Sequence, residues 1–247
     1  MQREPLFNIP TVVLALLAVL AVIHIVRTLL LTEPQDIEFL LTFAFFPARY
    51  DSSIVLGGTL PGGVAADVWT FVTYALIHAD WTHLGVNAIW LLPFGTAVAR
   101  RFGAVRFLAF FAVTAAAGAG LHLLTHAGEQ TPMIGASAAI SGTMAAAMRF
   151  AFQHGGPLGM LREHDESAYR VPALSLVGVF SDARVLMFLA VWFGINILFG
   201  LGSMSITGGD QTVAWQAHIG GFLAGLLLFS WFDPVLRQSD DFGATRH

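Results

Sequence analysis

Six long apolar runs, separated by polar stretches, set the plan of the chain. They cover about 9–31, 81–99, 107–124, 137–152, 185–201 and 213–231. A helix needs ~20 apolar residues to cross a hydrocarbon core ~30 Å thick, so five of the runs have roughly the right length and the fourth is short. The pattern predicts an all-α, polytopic membrane protein: one domain over 1–247, built as a six-transmembrane-helix bundle. The first run is longer than the ~7–15 residues of a signal-peptide core and no small-residue cleavage site follows, so it is expected to stay as a span.

The connection 32–80 breaks the pattern. Glu33, Asp36, Glu38, Arg49 and Asp51 make it too polar to span, yet it carries Phe39, Leu40, Leu41, Phe43, Phe45 and Phe46. That mixture predicts a partly folded loop lying in the membrane interface, interrupted at Gly57, Gly58, Pro61, Gly62 and Gly63. Asp80, just before the second run, is placed to cap its helix.

Composition supports the membrane reading. The 247 residues are 56% hydrophobic and 11% charged, against ~25% charged in a soluble domain. Mean hydropathy is +0.70. The absence of cysteine excludes disulfides, thiol catalysis and thiolate metal sites. No basic patch of the kind nucleic acid requires is present. All 12 basic residues are arginine. With the N-terminus in the cytoplasm, Arg3, Arg100, Arg101, Arg106, Arg149, Arg162, Arg170, Arg184, Arg237 and Arg246 are cytoplasmic, and Arg27 and Arg49 are external. The positive-inside rule therefore predicts N-in, C-in, with Arg27 snorkelling to the outer headgroups and Arg100 and Arg101 as topology signals.

Helix rise converts the runs into depths. Ser137 lies ~24 Å above the cytoplasmic end of its run, His218 ~22 Å, Asn87 ~20 Å and His83 ~26 Å, at ~1.5 Å per residue. Four polar side chains from three helices thus share one layer inside the membrane. Polar groups at such depth are costly and face the bundle interior or a water-filled cavity. Because the fourth run is short, the backbone from Thr131 to Gly135 must dip below the surface, which is tolerated only where protein or water satisfies it. A pit opening outward meets both conditions.

The chemistry such a pit supports is acyl transfer. Ser137 needs a base, and His218 is suitable. An oxyanion needs donors, and His83, Asn87 and the Ser137 backbone N–H at a helix N-terminus can supply them. Gly221 and Gly225 form a G-x-x-x-G that permits close helix approach. Each residue taken alone also has an ordinary reading. Ser137 would be a helix cap, His218 a hydrogen-bonded core histidine and His78 a brace for the loop before the second run. Asn196 would be an interhelical hydrogen bond. Ser141 and Thr143 would bond back to helix carbonyls. His122 and His126 have the spacing of a metal pair, but no third ligand is apparent in the sequence, so they read as interface histidines; no metal and no cofactor is expected.

Three segments resemble one family. Gly135-Ala136-Ser137 resembles the G-x-S motif of the rhomboid intramembrane serine proteases. His78 with His83-Leu84-Gly85-Val86-Asn87 resembles their H-x-x-x-x-H-x-x-x-N segment. Ala217-His218-Ile219-Gly220-Gly221-Phe222-Leu223-Ala224-Gly225 resembles their last-helix motif, and the resemblance runs over roughly 71–232 in the family's order. It implies that Ser137 is the nucleophile and His218 the base, a dyad without aspartate. His83 and Asn87 would help form the oxyanion site, beside the motif glycines Gly135, Gly221 and Gly225. The substrates would be transmembrane proteins, reached through membrane lipid, and the location a bacterial inner membrane. The stretch 202–212 would act as a cap and the fifth span as a lateral gate. The resemblance leaves oligomeric state open. Two residues depart from the family pattern: Ala138 where glycine is usual, and Ser141 where many members have an aromatic packed on the histidine. A catalytically inactive relative that binds membrane clients is the alternative that Ala138 favours. A small transporter using the same cavity is disfavoured, since no intramembrane carboxylate is present to couple ions.

Overall fold

The structure is a computed structural model describing residues 9–52, 60–158, 166–200 and 213–235. The expected cap, 202–212, and Arg3, Arg162, Arg237 and Arg246 lie outside those residues. The described residues are helical, with no strand; a single isolated bridge joins Phe45 and Met133. The helices are α1 (Thr11–Ile25, continued by a π turn Val26–Leu30), α2 (Glu33–Phe43), α3 (Gly63–Thr73), α4 (Trp81–Phe102), α5 (Ala104–Thr125), α6 (Ser137–Met148), α7 (Leu176–Ser181), α8 (Ala183–Gly200) and α9 (Trp215–Phe232). Among the described residues two stretches, Thr11–Leu30 and Ala104–Thr125, are long and apolar enough to cross a membrane by length and composition; Gly63–Leu76, Ser137–Met148 and Ala183–Leu198 are shorter apolar helices.

Helix α6 is the axis. Every residue from Ala138 to Met148 is buried. Its sequence, SAAISGTMAAAM, has no apolar stripe because it has no outward face. Small residues let α5 and α9 approach its backbone. A Cβ on Gly221 would overlap the Ala138 carbonyl, and one on Gly225 would overlap the Gly142 backbone. A Cβ on Gly142 would in turn lie 2.6 Å from Thr114 Cγ2 of α5. The outer faces of α1, α5, α8 and α9 show Leu29, Leu30, Val105, Leu124, Met187, Leu227 and Trp231 to the surroundings.

The 32–80 connection holds more structure than the partly folded loop expected from sequence. It contains α2 and α3, with a stretch between them whose residues 53–59 are outside the description. A capping box starts α2: Thr32 with Gln35, followed by Pro34 in the first turn. Trp69 Nε1 donates to Thr42 O at 3.0 Å and Thr73 Oγ1 to Phe43 O at 2.7 Å, which fastens α3 to the end of α2.

Arginine placement also corrects the sequence reading. Arg27 does not snorkel. It is 7% exposed, donates to both Asp36 carboxylate oxygens at 2.7 and 3.0 Å, and donates to His78 O at 2.9 Å. A buried guanidinium keeps its place when all its donors find acceptors, and here they join α1 to α2 and to the loop before α4. Arg101 is likewise more than a topology signal. It holds both oxygens of Asp233 at 2.8 and 2.9 Å, donates to Tyr169 O and Val171 O, and lies over the rings of Phe150 and Phe229. Arg100 pairs with Glu166, and Arg149 donates to Leu174 O and Leu226 O. These contacts knit the C-terminal ends of α4, α6 and α9 together. Arg101→Ala leaves the Asp233 carboxylate buried without its partner, so a loss of about 3–5 kcal/mol is expected. A large fall in the thermal midpoint of the detergent-solubilised protein checks it; an unchanged midpoint would reduce the pair to decoration.

Candidate active site

Backbone geometry brings Ser137 to the floor of a cavity. The chain from Thr131 to Gly135 is not helical, and its groups find protein partners. Met133 N donates to Phe45 O at 2.8 Å, Phe45 N to Met133 O at 3.2 Å, and Gly135 N to Tyr74 O at 3.0 Å. The loop after α2 and the end of α3 thus pay out the acceptors and donors that lipid cannot offer. Gly135 has φ +116°, a conformation side-chain-bearing residues rarely adopt, and a Cβ there would lie 2.6 Å from His83 Nε2. Glycine therefore serves both the turn into α6 and the close approach of His83.

The cavity measures about 630 Å³, and Ser137, His218, His83, Asn87 and Asn196 all line it. His218 Nε2 lies 2.7 Å from Ser137 Oγ. His218 Nδ1 bonds the side-chain oxygen of Asn196 on α8. Asn196 Nδ2 donates to Trp192 O at 2.8 Å, one turn back on its own helix. That second bond fixes the amide, so Oδ1 is the atom facing His218. A carbonyl oxygen only accepts, so Nδ1 of a neutral His218 carries the proton and Nε2 presents its lone pair to the Ser137 hydroxyl.

The second-helix pair is oriented by its own helix. Asp80 caps α4 by accepting from His83 N at 2.8 Å. The His83 Nδ1 atom faces Ala79 N at 3.5 Å, so the ring's acceptor nitrogen points to the loop and Nε2–H points toward Gly135. Asn87 is 3% exposed and gives one N–H to His83 O at 2.9 Å, leaving its second N–H for the cavity. The Ser137 N–H belongs to the first turn of α6, where backbone donors lack intrahelical acceptors. His78 is fully buried, its ring edge-on to His83 with centroids 5.1 Å apart, and its carbonyl is the one that Arg27 holds.

Both departures noted in the sequence have a structural account. Ala138 is 1% exposed and sits against Gly118 of α5, where a Cβ would come within 2.6 Å of the Ala138 methyl. The extra methyl is thus housed by a missing one across the interface. Ser141 Oγ donates to Ser137 O at 2.7 Å, a bond back to the helix. It leaves the histidine to Asn196.

The sequence treated Asn196 only as an interhelical hydrogen bond; that its partner is His218 was missed. A usable signal existed, since Asn196 lies about 13 residues into α8, or ~20 Å, in the same layer as Ser137. His122 and His126, a pair without a third ligand in the sequence, have Glu129 beside them in the structure, with one potential donor atom from each residue within 4.8 Å of the others. Glu129 was overlooked because it stands beyond the helix end, where a turn at Gly128 folds the chain back.

The sequence model of the Rhomboid domain matches residues 65–232. A protein of Arabidopsis thaliana named "RHOMBOID-like protein 12, mitochondrial" is 29% identical over 178 residues, covering 66% of this chain. The matched part is 45% of that relative's length, so the chain spans about half of it.

Proposed function

This chain belongs to the rhomboid family and is a membrane protein, and from that premise we propose that it is an intramembrane serine endopeptidase. The observation that carries the proposal is the Asn196–His218–Ser137 hydrogen-bond chain opening on the cavity. In this reading α1, α4, α5, α6, α8 and α9 are six spans. The pairing of Arg100, Arg101 and Arg149 at one end of the bundle, with Arg27 and Arg49 at the other, supports an N-in, C-in topology. The location proposed is a bacterial inner membrane; the name of the plant relative raises a mitochondrial membrane as the alternative, and fractionation decides between them.

The reaction runs as acyl transfer. Ser137 Oγ attacks the scissile carbonyl carbon of a transmembrane substrate while its proton passes to His218 Nε2. The oxyanion takes hydrogen bonds from the Ser137 N–H, Asn87 Nδ2 and His83 Nε2. Collapse breaks the C–N bond, and the imidazolium returns the proton to the leaving amine. Water, deprotonated by the same nitrogen, then hydrolyses the acyl-enzyme. Asn196 is a positioning residue: it holds the tautomer that makes Nε2 a base. Helix α8 would be the lateral gate.

Asn87→Ala is expected to lower turnover on the order of 10²-fold, as loss of one oxyanion donor does. The check is kcat on a single-span model substrate; an unchanged kcat removes Asn87 from the oxyanion site. The alternative of a client-binding protein without activity rests on Ala138, whose methyl packs against Gly118.

A further inference from the structure

We infer that His122, His126 and Glu129 form a divalent-cation site at the rim of the cavity, suited to a borderline ion of the zinc type. The inference stands apart from the protease reading, since none of the three residues takes part in that chemistry. His122 and His126 occupy successive turns at the end of α5, their rings nearly parallel with centroids 4.5 Å apart. Glu129 is brought beneath them by the turn in which its N–H bonds His126 O at 3.1 Å.

Three observations point to a ligand. The first is a gap. Glu129 Oε2 lies 3.8 Å from His122 Nε2, too far for a hydrogen bond. Two donors of one tetrahedral ion with bonds of ~2.1 Å stand ~3.4 Å apart, so this spacing is close to that of shared ligation. The third donor lies within 4.8 Å of both, so a side-chain rotation would be needed to draw it in. The second is lack of satisfaction. Glu129 Oε2 is buried and has no hydrogen-bond partner among the described residues. Buried polar atoms are seldom left so.

The third is a fixed tautomer. Thr125 Oγ1 donates its one proton to the Leu121 and His122 carbonyls at 3.0 and 3.1 Å. With that proton so placed, and with the Gln216 amide nitrogen able only to donate to His126 Nε2, Oγ1 accepts from His126 Nδ1, 2.9 Å away. Nδ1 then carries the proton, and the Nε2 lone pair, which accepts from Gln216 Nε2 at 3.5 Å, is the one an ion would take over. An outer hydrogen bond of this kind is what orients ligating histidines. An ion there would displace that long contact with Gln216 at the start of α9, the helix that bears His218. Two imidazoles and one carboxylate, with a fourth position for water, is a donor set that zinc accepts readily and magnesium or calcium does not.

The test is calorimetric titration of Zn2+ into full-length, chelator-stripped protein in detergent, with Co2+ absorption reporting coordination geometry. The expected result is one Zn2+ per chain and a tetrahedral cobalt spectrum. Glu129→Gln and His126→Ala are expected to weaken binding by more than about 100-fold, since loss of an outer-shell partner alone costs ~10–100-fold. Both positions are only partly buried, so these variants keep the test valid if His122→Ala does not fold. Ser137→Ala is titrated in parallel, and its binding should equal wild type whether or not the chain is a protease. Absence of stoichiometric binding to wild type, or equal binding to Glu129→Gln and His126→Ala, would overturn the site.

Discussion

Ser137→Ala and His218→Ala are each expected to abolish cleavage of a single-span model substrate, by on the order of 10⁵–10⁶-fold, while the protein stays folded. The size follows from the way such groups act as a unit: in a serine protease, loss of either nucleophile or base costs about as much as loss of both, roughly 10⁶ in kcat. The geometry requires the same behaviour here. Ser137 Oγ has no base within reach except His218 Nε2 at 2.7 Å among the described residues, and an unactivated hydroxyl is a weak nucleophile. The double variant should therefore lose no more than either single one. Folding should survive because the Ser137 main-chain carbonyl, which accepts from Ser141, is untouched by the change. Cleavage assays in reconstituted liposomes, with thermal midpoints alongside, check both parts. Cleavage by Ser137→Ala at a tenth of the wild-type rate would remove the serine from the chemistry.

Asn196→Ala is expected to lower kcat by about 10²-fold or more, with KM little changed. A misplacement of ~1 Å in a reacting group can cost 10²-fold. With the amide gone, nothing described here selects the Nδ1–H tautomer, and the alternative puts a proton on Nε2, where Ser137 needs an acceptor. Asn196→Asp keeps an oxygen facing Nδ1 and should recover much of the loss. A residue that merely packed α8 on α9 would show neither the kcat-selective effect nor that rescue. Equal rates for wild type and Asn196→Ala would restrict Asn196 to packing.

These two expectations differ in how far sequence alone could reach them. Ser137, His218, His83 and Asn87 stand on short motifs inside helices whose ends are visible, so rise along each axis gives their depth. Depth is one coordinate. The bond from Asn196 to His218 depends on how α8 and α9 are turned about their own axes, and residue spacing carries no such angle between two helices. Arg27 and Arg101 show the same limit for charge. Near a helix end, an arginine reads as a residue reaching for headgroups, because its partner is invisible: Asp233 is far along the chain from Arg101, and Asp36 lies across a turn from Arg27. The helices α2 and α3 are a different case. Thr32 and Gln35, with Pro34 between them, spell a helix start that aromatic content obscured. The small residues of α6 were legible as a close-packing surface. That Gly118 makes room for the Ala138 methyl was not, since the compensating glycine sits on a separate helix.

The most direct measurement of the central claim is fluorophosphonate labelling of folded, detergent-solubilised protein, read by peptide mass. The reagent bonds only a serine whose proton a base removes, which is the state the His218–Ser137 contact should create. The expected result is a single adduct on Ser137 of the wild-type chain, none on Ser137→Ala, and none on His218→Ala. A folded wild-type protein that leaves Ser137 unlabelled would contradict it.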